Sequence, residues 1–458
     1  MTHSSSLAVI LAAGKGTRMK SAQPKVLHRI AGAPMIAHVL DTAHAAGIGK
    51  IALVVGPGMD NVAQAATALD QKLQVFVQPE QQGTADAVKA ARGSLEDFAG
   101  HVLILYGDTP LLRPETLKAV AGELEAGADI VVIGFEAANP TGYGRLLLDD
   151  RGRLMAIREE KDASDQERAL TLCNSGIVGF RSAKTLLGLL GRIGKNNAKG
   201  EYSLTDAVAL AAGDRLEARI ALSRGAEVLG INSRAELAEA EAAMQQRLRA
   251  RVMAGGATLI APETVFLSHD TKIGTDVVIE PHVFIGEGVT IADGALIRAF
   301  SHLDHAHVGE GASVGPFARL RPGANLARGA HIGNFVEIKQ SEIAEGAKVN
   351  HLTYIGDTSV GARANIGAGT ITCNYDGFAK HKTEIGAGAF IGSNSSLVAP
   401  VKIGEGAYIG SGSVISKDVE ADALALTRAP QEERKGWAAR ARAQRGRSKA
   451  KDTGNKGT

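Results

Sequence analysis

Cysteine is almost absent from this 458-residue sequence, which contains only Cys173 and Cys373. Two cysteines so far apart exclude a disulfide framework of the kind that holds small secreted domains together. The sequence also lacks any apolar run approaching the roughly 18 residues of a membrane span. Its N-terminus has no basic start, and Gly14 interrupts the first apolar run too early for a signal peptide. These absences predict a cytoplasmic protein without membrane insertion.

Aromatic residues are also scarce, at 4%, whereas glycine is abundant, with 55 residues. This combination favours many tight turns and thin, regular layers. Excess charge is concentrated at one end: from Arg434 onward there are nine basic residues and one acidic residue, leaving 42 basic and 48 acidic residues elsewhere. The body is therefore mildly acidic, which argues against a nucleic-acid partner. The basic tail is expected to be disordered and solvated, with contact to an acidic partner as the alternative.

The first 230 residues alternate short apolar runs with segments of helical spacing. Buried strands are predicted at LAVILA, KIALVVG, LQVFVQ, HVLILYGD and DIVVIGFE, and helices at PMIAHVLDTAHAAG and GTADAVKAARGSL. Such alternation predicts a mostly parallel sheet covered by helices, with ligands at the carboxyl ends of the strands. Ser233 and Glu236 then form a capping-box pattern, which predicts a linker helix over residues 233–256.

Beyond the linker, isoleucine, leucine or valine recurs at every sixth residue, in runs that begin at Ile273, Val308, Ile343 and Ile385. A parallel β-helix of hexapeptide repeats has this period, because each hexapeptide forms one flat face and three faces close a coil. The register is lost after Ile366, across GAGTITCNYDGFAKHKTE, and resumes at Ile385. This break predicts a loop on one face of the solenoid, often the binding face.

A loop rich in glycine and cations, GKGTR, follows the first strand. It does not fit a P-loop, which has four residues between its first glycine and the Gly-Lys-Ser/Thr, because only one residue separates Gly14 from Gly16. It does not fit a dinucleotide loop either, because Met19 stands where a third glycine is needed. Alone, it is compatible with a simple strand-to-helix turn. Arg18 and Lys25, however, place two permanent cations beside its backbone amides, a suitable cradle for a polyphosphate.

Other polar residues fall at the same predicted edge of the sheet. Asp108, in ILYGDTPL, ends a strand, where its carboxylate would bind a metal or merely cap a helix before Pro110. QPEQQGTADA offers Gln78, Gly83 and Thr84 in a loop that opens a helix. PTGYGRLLLDDRGRLMAIREEKDA has the pattern of a hairpin with DDRG as its turn.

The first half contains, in order, LAAGKGTRM…PKVL, QGTADA, YGDTPLL, PTGYGR, EEKDA, CNSGI and GINSR, and resembles the sugar-phosphate nucleotidyltransferases. The second half contains GPFARLRPGA, GNFVEIK, NHLTYIGD, NIGAGTITCNYDG and LVAPV. From about Leu7 to Trp437, the sequence is similar to the bacterial bifunctional N-acetylglucosamine-1-phosphate uridylyltransferases/glucosamine-1-phosphate N-acetyltransferases. The resemblance implies an α/β Rossmann-like nucleotidyltransferase domain (1–232), the linker helix (233–256), a left-handed parallel β-helix acetyltransferase domain (257–430) and a C-terminal segment (431–458).

The resemblance implies an enzyme of UDP-N-acetylglucosamine synthesis, which supplies precursors of peptidoglycan, lipopolysaccharide and the cell envelope. The C-terminal domain would transfer an acetyl group from acetyl-CoA to glucosamine-1-phosphate. The N-terminal domain would then transfer a uridylyl group from UTP to N-acetylglucosamine-1-phosphate and release pyrophosphate. The family uses Mg²⁺ at the uridylyltransferase site and is homotrimeric, with acetyl-transfer sites built between neighbours.

Carried over residue by residue, the resemblance implies roles for the loops of the first domain. Arg18 and Lys25 would stabilise charge on the phosphates, and Asp108 and Asn232 would bind Mg²⁺. The nucleotide and its sugar would contact Leu11, Ala12, Ala13, Gly14, Lys25, Gln78, Gly83, Thr84, Tyr106, Gly107, Asp108, Gly144, Glu159, Asn174 and Asn232.

In the second domain, His351 matches the family's general base. Such a base is needed because a glucosamine ammonium must lose a proton before its nitrogen attacks a thioester. Glucosamine-1-phosphate would contact Arg321, Lys339, Tyr354 and Asn365, and acetyl-CoA would contact Ala368, Asn374, Tyr375, Ser393, Ser411 and Arg428. Some relatives carry alanine at the position of Ser411, so a backbone contact there would survive, whereas a side-chain contact would not. Cys373 is expected to be a small buried residue, and His302–His307 to form exposed coil corners.

Two other interpretations remain open. A single-activity nucleotidyltransferase would use its β-helix only for assembly, but such a scaffold does not require NHLTYIGD or the TCNYDG loop. A regulatory subunit, as in some translation-initiation exchange factors, would be expected to have lost the Gly14–Arg18 loop or Asp108, and both are intact. The sequence therefore favours an enzyme with two activities.

Overall fold

The computed structural model describes residues 5–453, which form two compact units. The first unit runs to Ile273 and includes Glu280–Val289; the second contains Gly274–Ile279 and the chain from Thr290 onward. Over the described residues, no helix combines the length and the apolar character needed to cross a bilayer. Both cysteines are free; Cys173 is buried, whereas Cys373 is half-buried rather than buried as expected.

The first unit is built on a sheet whose strands include all five predicted apolar runs. In spatial order its main strands are Ala218–Leu222, Ile130–Glu136, Leu172–Phe180, His101–Tyr106, Ser6–Leu11, Lys50–Val55 and Gln74–Val77. All neighbours are parallel except Leu172–Phe180, which runs antiparallel to both of its partners. The predicted hairpin is confirmed as Arg145–Leu148 paired with Leu154–Arg158, and a second, short hairpin pairs Arg29–Ile30 with Ala33–Pro34.

Helices cover this sheet and lead out of it. The α-helices of the first unit are Met35–Ala45, Asp60–Leu69, Thr84–Ala90, Arg92–Leu95, Pro114–Glu125, Asp165–Arg168, Ala183–Leu190, Asp206–Gly213 and Arg234–Ala254, and the 3₁₀ turns are Thr17–Met19, Lys25–Leu27, Gly225–Glu227 and Pro262–Thr264. Both predicted helices are present, the second divided at Ala91. The capping box of the long helix is also confirmed, because Ser233 Oγ accepts from Glu236 N and the Glu236 carboxylate accepts from Ser233 N.

The second unit is a parallel β-helix of three sheets, as the six-residue period predicts. Its strands are Val278–Ile279, Leu296–Ile297, Ser313–Val314, His331–Asn334, Lys348–His351, Asn365–Ile366, Phe390–Ile391, Tyr408–Ile409 and Leu424–Ala425 in one sheet; His302–Leu303, Arg319–Leu320, Glu337–Lys339, Tyr354–Gly356, Ile371–Cys373, Ser396–Val398 and Val414–Ile415 in another; and Thr290–Ile291, Ala306–Val308, Ala324–Leu326, Ser341–Ile343, Thr358–Val360, Thr383–Ile385 and Val401–Ile403 in the third. The first unit contains further short strands of this kind: Thr258–Leu259, Phe266–Leu267, Lys272–Ile273 and Phe284–Ile285. The periodic aliphatic residues of the second unit are buried, and the histidines of His302–His307 lie exposed on the coils.

The register does not break where the sequence indicated. Ile371–Cys373 pairs in parallel with Ser396–Val398, and Thr372 occupies the inward position with no exposed surface. Inside the β-helix, the Thr372 hydroxyl donates to backbone carbonyl oxygens of the preceding coil. The repeat therefore continues for one more strand, and the actual insertion is the shorter segment 374–382.

The tail also differs from the expectation. Trp437–Thr453 is an α-helix, so the prediction of disorder is wrong over these residues. The segment is rich in alanine, arginine and lysine, which have high helix propensity, and this local preference outweighs its low hydrophobicity. Residues 454–458 of the predicted tail lie outside the described part of the chain.

Candidate functional sites

The carboxyl edge of the first sheet contains a cavity of about 450 Å³. Loops that follow the strands Ser6–Leu11, Gln74–Val77 and His101–Tyr106 form its walls. Ten of the residues predicted to bind the nucleotide line it: Leu11, Ala12, Ala13, Gly14, Lys25, Gln78, Gly83, Thr84, Tyr106 and Asp108. The structure thus brings together residues that are separated by almost a hundred positions in the sequence.

Two glycines allow the loops around the cavity to pack closely against neighbouring segments of the chain. Gly16 has φ +60°, and a Cβ there would lie 2.8 Å from Lys25 Cβ, so the loop can pass Lys25 only with glycine. Gly83 has φ +124°, and a Cβ there would lie 2.4 Å from Tyr202 O. Thr84 Oγ1 accepts from Leu204 N at 2.9 Å, which fixes the same turn from the other side.

Gln78 is a buried polar side chain of this cavity, and Tyr106 is partly buried. Gln78 Nε2 donates to Gly83 O at 3.0 Å and to Asp86 Oδ2 at 2.7 Å, so its amide oxygen has a fixed direction. Burial, and then the nearby carboxylates of Asp108 and Glu159, raise the pKa of the Tyr106 phenol. Tyr106 therefore stays neutral and can act only as a hydrogen-bonding or packing group.

Lys25 joins the two residues that were predicted to bind the metal. Its Nζ donates to the Asp108 carboxylate and to Asn232 Oδ1, the latter at 2.9 Å. Asn232 is oriented because its Nδ2 donates to Gly230 O at 3.1 Å and its backbone N donates to Glu236 Oε2 at 2.5 Å. The capping box of the long helix thus also positions Asn232.

A carboxylate and an amide oxygen that converge on one cation also fit Mg²⁺, which takes few protein oxygens and completes its shell with water and phosphate oxygens. Among the side chains that the structure describes, residues 5–445, no group of three His, Cys, Asp or Glu offers an alternative cluster. Asp108 and Asn232 are therefore the donors that could hold this ion, and Lys25 is close enough to be affected by it.

The remaining predicted residues lie beside this cavity. Asn174 and Tyr106 line a small adjoining cavity, and Asn174 N donates to Gly144 O at 2.8 Å. Glu159 Oε1 accepts from Thr205 Oγ1 at 3.3 Å. Gly107 lies against Ala12, where a Cβ would approach the Ala12 side chain to 3.3 Å.

Arg18 is exposed in the turn Thr17–Met19 and does not line the cavity. Sequence reasoning named no role for six other residues that do: Lys15, Val26, Glu80, Gln81, Ala87 and Glu201. All of them except Glu201 lie within motifs that were singled out, so membership of those motifs was the available signal. Gln81 donates to Ala13 O and so joins two of the loops.

His351 has a partner in the second unit that the sequence analysis did not identify. The strand Lys348–His351 pairs in parallel with His331–Asn334, so Asn334 lies opposite His351. Asn334 Oδ1 is 2.5 Å from His351 Nδ1. Because this oxygen can only accept, Nδ1 carries a proton and Nε2 keeps its lone pair. This is the tautomer that a general base at Nε2 requires.

Cations cluster on the neighbouring face of the β-helix. Lys380, in the inserted segment, lies beside Lys339 and, together with Arg321, lowers the pKa of the Lys339 ammonium, which Asp357 partly offsets. Arg321 Nη1 donates to Glu337 Oε1 at 2.8 Å, and this contact raises the pKa of its guanidinium. The structure therefore places two further residues beside the predicted cations Arg321 and Lys339: the cation Lys380 and the carboxylate Glu337.

Tyr354 and Asn374 are near one another, with Asn374 Nδ2 3.5 Å from the Tyr354 hydroxyl. Asn374 Nδ2 also donates to Asp357 Oδ2 at 2.5 Å. Tyr375 is exposed in the inserted segment and donates to Gly377 O at 2.7 Å. Asn365 lies on a different sheet, between Lys348 and Phe390.

The other predicted acetyl-CoA residues form a column along one corner of the β-helix. Ala368 O accepts from Asn394 N, and Ser393 O accepts from Gly412 N, each at 2.8 Å. Ser411 O accepts instead from the Arg428 guanidinium, at 2.9 Å. The first two carbonyl oxygens of the column thus accept a hydrogen bond from a backbone N–H of the next coil. At the end of the column, the Arg428 guanidinium takes the place of that backbone donor.

Comparisons with known proteins agree with both halves of this description. The model of the MobA-like NTP transferase domain matches residues 8–170, and that of the bacterial transferase hexapeptide (six repeats) matches residues 382–417. The bifunctional protein GlmU of Azorhizobium caulinodans is 59% identical to this chain, over 98% of this chain and 100% of the relative. The protein of the same name in Xanthobacter autotrophicus is 57% identical, over 98% of this chain and 100% of the relative. The one in Agrobacterium fabrum is also 57% identical, over 99% of both chains.

Proposed function

Because this chain belongs to the GlmU family of bifunctional uridylyltransferases and acetyltransferases, we propose that its two reactions occur at the two sites described above. Uridylyl transfer is assigned to the cavity of the first unit, and acetyl transfer to the histidine and cation cluster of the second. The observation that carries the first assignment is the convergence of Lys25, Asp108 and Asn232 beside the glycine-rich loop. The second rests on the His351–Asn334 contact and on the cluster of Arg321, Lys339 and Lys380.

In the uridylyl transfer, a phosphate oxygen of N-acetylglucosamine-1-phosphate attacks the α-phosphorus of UTP, and the bond to pyrophosphate breaks. Such a transfer requires positioning and charge neutralisation more than covalent help. The backbone amides of the Gly14 loop and the Lys15 and Lys25 ammonium groups supply positive charge at the cavity wall. Gln78, Gly83 and Thr84 hold the base, and Gly144, Glu159 and Asn174 contact the sugar. Arg18 is assigned to the phosphates by family resemblance alone.

A bound Mg²⁺ would supply further positive charge to the phosphates. We assign its protein ligands to Asp108 and Asn232, whose oxygens converge on one point. Asp108→Asn and Asn232→Ala are each expected to lower pyrophosphate release by at least tenfold and to raise the Mg²⁺ concentration needed for half-maximal rate. An unchanged Mg²⁺ dependence in both variants would remove these residues from the metal site.

In the acetyl transfer, His351 Nε2 takes a proton from the amino group of glucosamine-1-phosphate. The nitrogen then attacks the thioester carbonyl of acetyl-CoA, the C–S bond breaks and CoA leaves as the thiol. Arg321, Lys339 and Lys380 neutralise the sugar phosphate, and Tyr354 and Asn365 contact the sugar. The column at Ala368, Ser393 and Ser411, together with Asn374, Tyr375 and Arg428, receives acetyl-CoA.

The experiment that tests both assignments supplies glucosamine-1-phosphate, acetyl-CoA, UTP and Mg²⁺ and follows free thiol and pyrophosphate separately. His351→Ala is expected to abolish thiol release, and to retain pyrophosphate release when N-acetylglucosamine-1-phosphate is supplied. Asp108→Asn is expected to do the reverse. Loss of both products in either variant when N-acetylglucosamine-1-phosphate is also supplied, with the fold intact, would contradict two independent sites.

The acetyl-transfer site also favours a homotrimer. Phe317, Phe335 and Leu352 form an exposed corner column, with 46%, 54% and 63% of their surfaces accessible. With Tyr354 and Glu337 they line an open cavity of about 450 Å³, which a neighbouring copy would close. Phe335→Asp is expected to reduce the mass measured by light scattering from that of three chains to that of one, and to lower acetyl transfer. We also assign the enzyme to the cytoplasm, which fractionation of cells would test.

A further inference from the structure

Lys25 already holds the two residues to which the proposed function assigns the metal. Its Nζ contacts the Asp108 carboxylate and Asn232 Oδ1 together. The contact is shielded, because only 11% of the Lys25 side chain and 18% of the Asp108 side chain are exposed. A single ammonium group thus satisfies both oxygens in a largely buried setting.

We propose that Lys25 is an internal counter-cation that competes with the divalent ion for Asp108 and Asn232, and that the polyphosphate of the nucleotide relieves the competition by binding the ammonium. The inference rests on the proposed function, from which it takes the metal ligands. It implies weak binding of a divalent ion to the free protein and tighter binding in the presence of nucleotide. Metal and nucleotide then enter the site together.

The surroundings indicate which partner moves. Asp108 O accepts from Ile231 N at 3.0 Å, which ties the two ligand segments to one another through the backbone. Asn232 is held by Gly230 and by the Glu236 carboxylate of the capping box. The Lys25 ammonium, in contrast, is attached by a flexible four-carbon stem. Exchange of cations therefore displaces the lysine and leaves both oxygens in place.

The phosphates offer the displaced ammonium a second partner. Lys25 and Lys15 line the same cavity as the Gly14 loop. A lysine ammonium is a compact point charge that pairs well with phosphate oxygens. One side chain thus neutralises Asp108 before the nucleotide binds and the phosphates afterwards.

Binding of Mn²⁺ to the full-length protein without nucleotide tests this proposal. Free Mn²⁺ is measured by electron paramagnetic resonance for the unchanged protein, Lys25→Met and Lys15→Met. A hydrogen bond to a charged group must be broken in the unchanged protein, so Lys25→Met is expected to bind Mn²⁺ on the order of tenfold more tightly. Lys15→Met is the matched control, because it removes the same charge from the same cavity without touching either ligand; its effect is expected to stay within about threefold.

Equal or weaker Mn²⁺ binding by Lys25→Met, or an equal gain in Lys15→Met, would overturn the proposal. Asp108→Asn separates it from the proposed function: if that variant binds Mn²⁺ as tightly as the unchanged protein, the ligand assignment itself fails. A second measurement needs no variant. Amine labelling followed by peptide mass spectrometry is expected to show faster modification of Lys25, relative to Lys15, when Mn²⁺ is raised to the saturating level found by titration. An unchanged ratio would also overturn the proposal.

Discussion

Replacement of Asn334 tests how His351 is held for its proposed role as a base. Asn334→Ala removes the oxygen that lies 2.5 Å from His351 Nδ1, so the ring is free to rotate and to carry its proton on either nitrogen. A hydrogen bond of this kind contributes about 1 kcal/mol, and the loss of the correct tautomer adds to it. We therefore expect kcat/KM for acetyl transfer to fall by about five- to tenfold.

Asn334→Asp separates orientation from charge. The carboxylate still accepts from Nδ1, so the tautomer is kept, but its negative charge favours the imidazolium over the neutral ring. An opposite charge beside a titratable group favours its charged form. Since only the neutral ring acts as a base, the acid limb of the rate profile is expected to move to higher pH.

Thiol release at saturating acetyl-CoA, measured from about pH 5.5 to 9, provides the assay. Pyrophosphate release by the same preparations is the internal control, and we expect it to remain unchanged. A profile of Asn334→Asp that coincides with that of the unchanged protein would refute the assigned contact. Full activity of Asn334→Ala would refute its importance for catalysis.

Three further outcomes follow from contacts outside this pair. Gly83→Ala places a Cβ 2.4 Å from Tyr202 O and is expected to raise the KM for UTP by about tenfold without changing acetyl transfer. Lys380→Met removes the largest cause of the lowered pKa of Lys339; that pKa then rises, so the alkaline increase in KM for glucosamine-1-phosphate is expected to begin at higher pH. Gln245→Ala leaves a buried backbone N–H and C=O without the bonds that Gln245 makes to them, at 2.8 and 2.7 Å, and is expected to lower the free energy of unfolding in urea by about 2–4 kcal/mol.

The fold could be predicted wherever one periodicity dominates. The buried strands and the hexapeptide repeat place aliphatic residues at fixed intervals, and burial of those residues determines the structure. The elements that were missed include two of mixed composition. The antiparallel strand Leu172–Phe180 interrupts its apolar residues with asparagine, serine and glycine, and the coil strand Ile371–Cys373 has threonine at the inward position. In the second case a hydrogen bond replaces aliphatic packing, which periodicity of apolar residues cannot reveal.

The sites were predictable in position but not in pairing. Loops after parallel strands must meet at one edge, so the position of the cavity in the first unit follows from the order of the strands. That Lys25 contacts Asp108 and Asn232 depends on side chains 83 and 207 residues away, for which the sequence has no local signal. Asn334, in contrast, precedes His351 by 17 residues, about one coil of the β-helix. Residues one coil apart are neighbours, so the repeat itself contained the information needed to find this partner.

Both candidate sites include residues from places where a regular backbone pattern ends, although His351, Lys339 and Tyr354 of the second lie within strands of the β-helix. Within the sheets, the strand ladders use the backbone groups and the apolar residues fill the core, so these positions contribute mainly to stability. The loops after the strands of the first unit, and the inserted segment 374–382 of the second, leave polar side chains such as Asp108 and Lys380 beside a cavity or an exposed face. Substitutions of the periodic aliphatic residues should therefore change the free energy of unfolding, whereas substitutions at these interruptions should change one reaction and leave the fold and the other reaction intact.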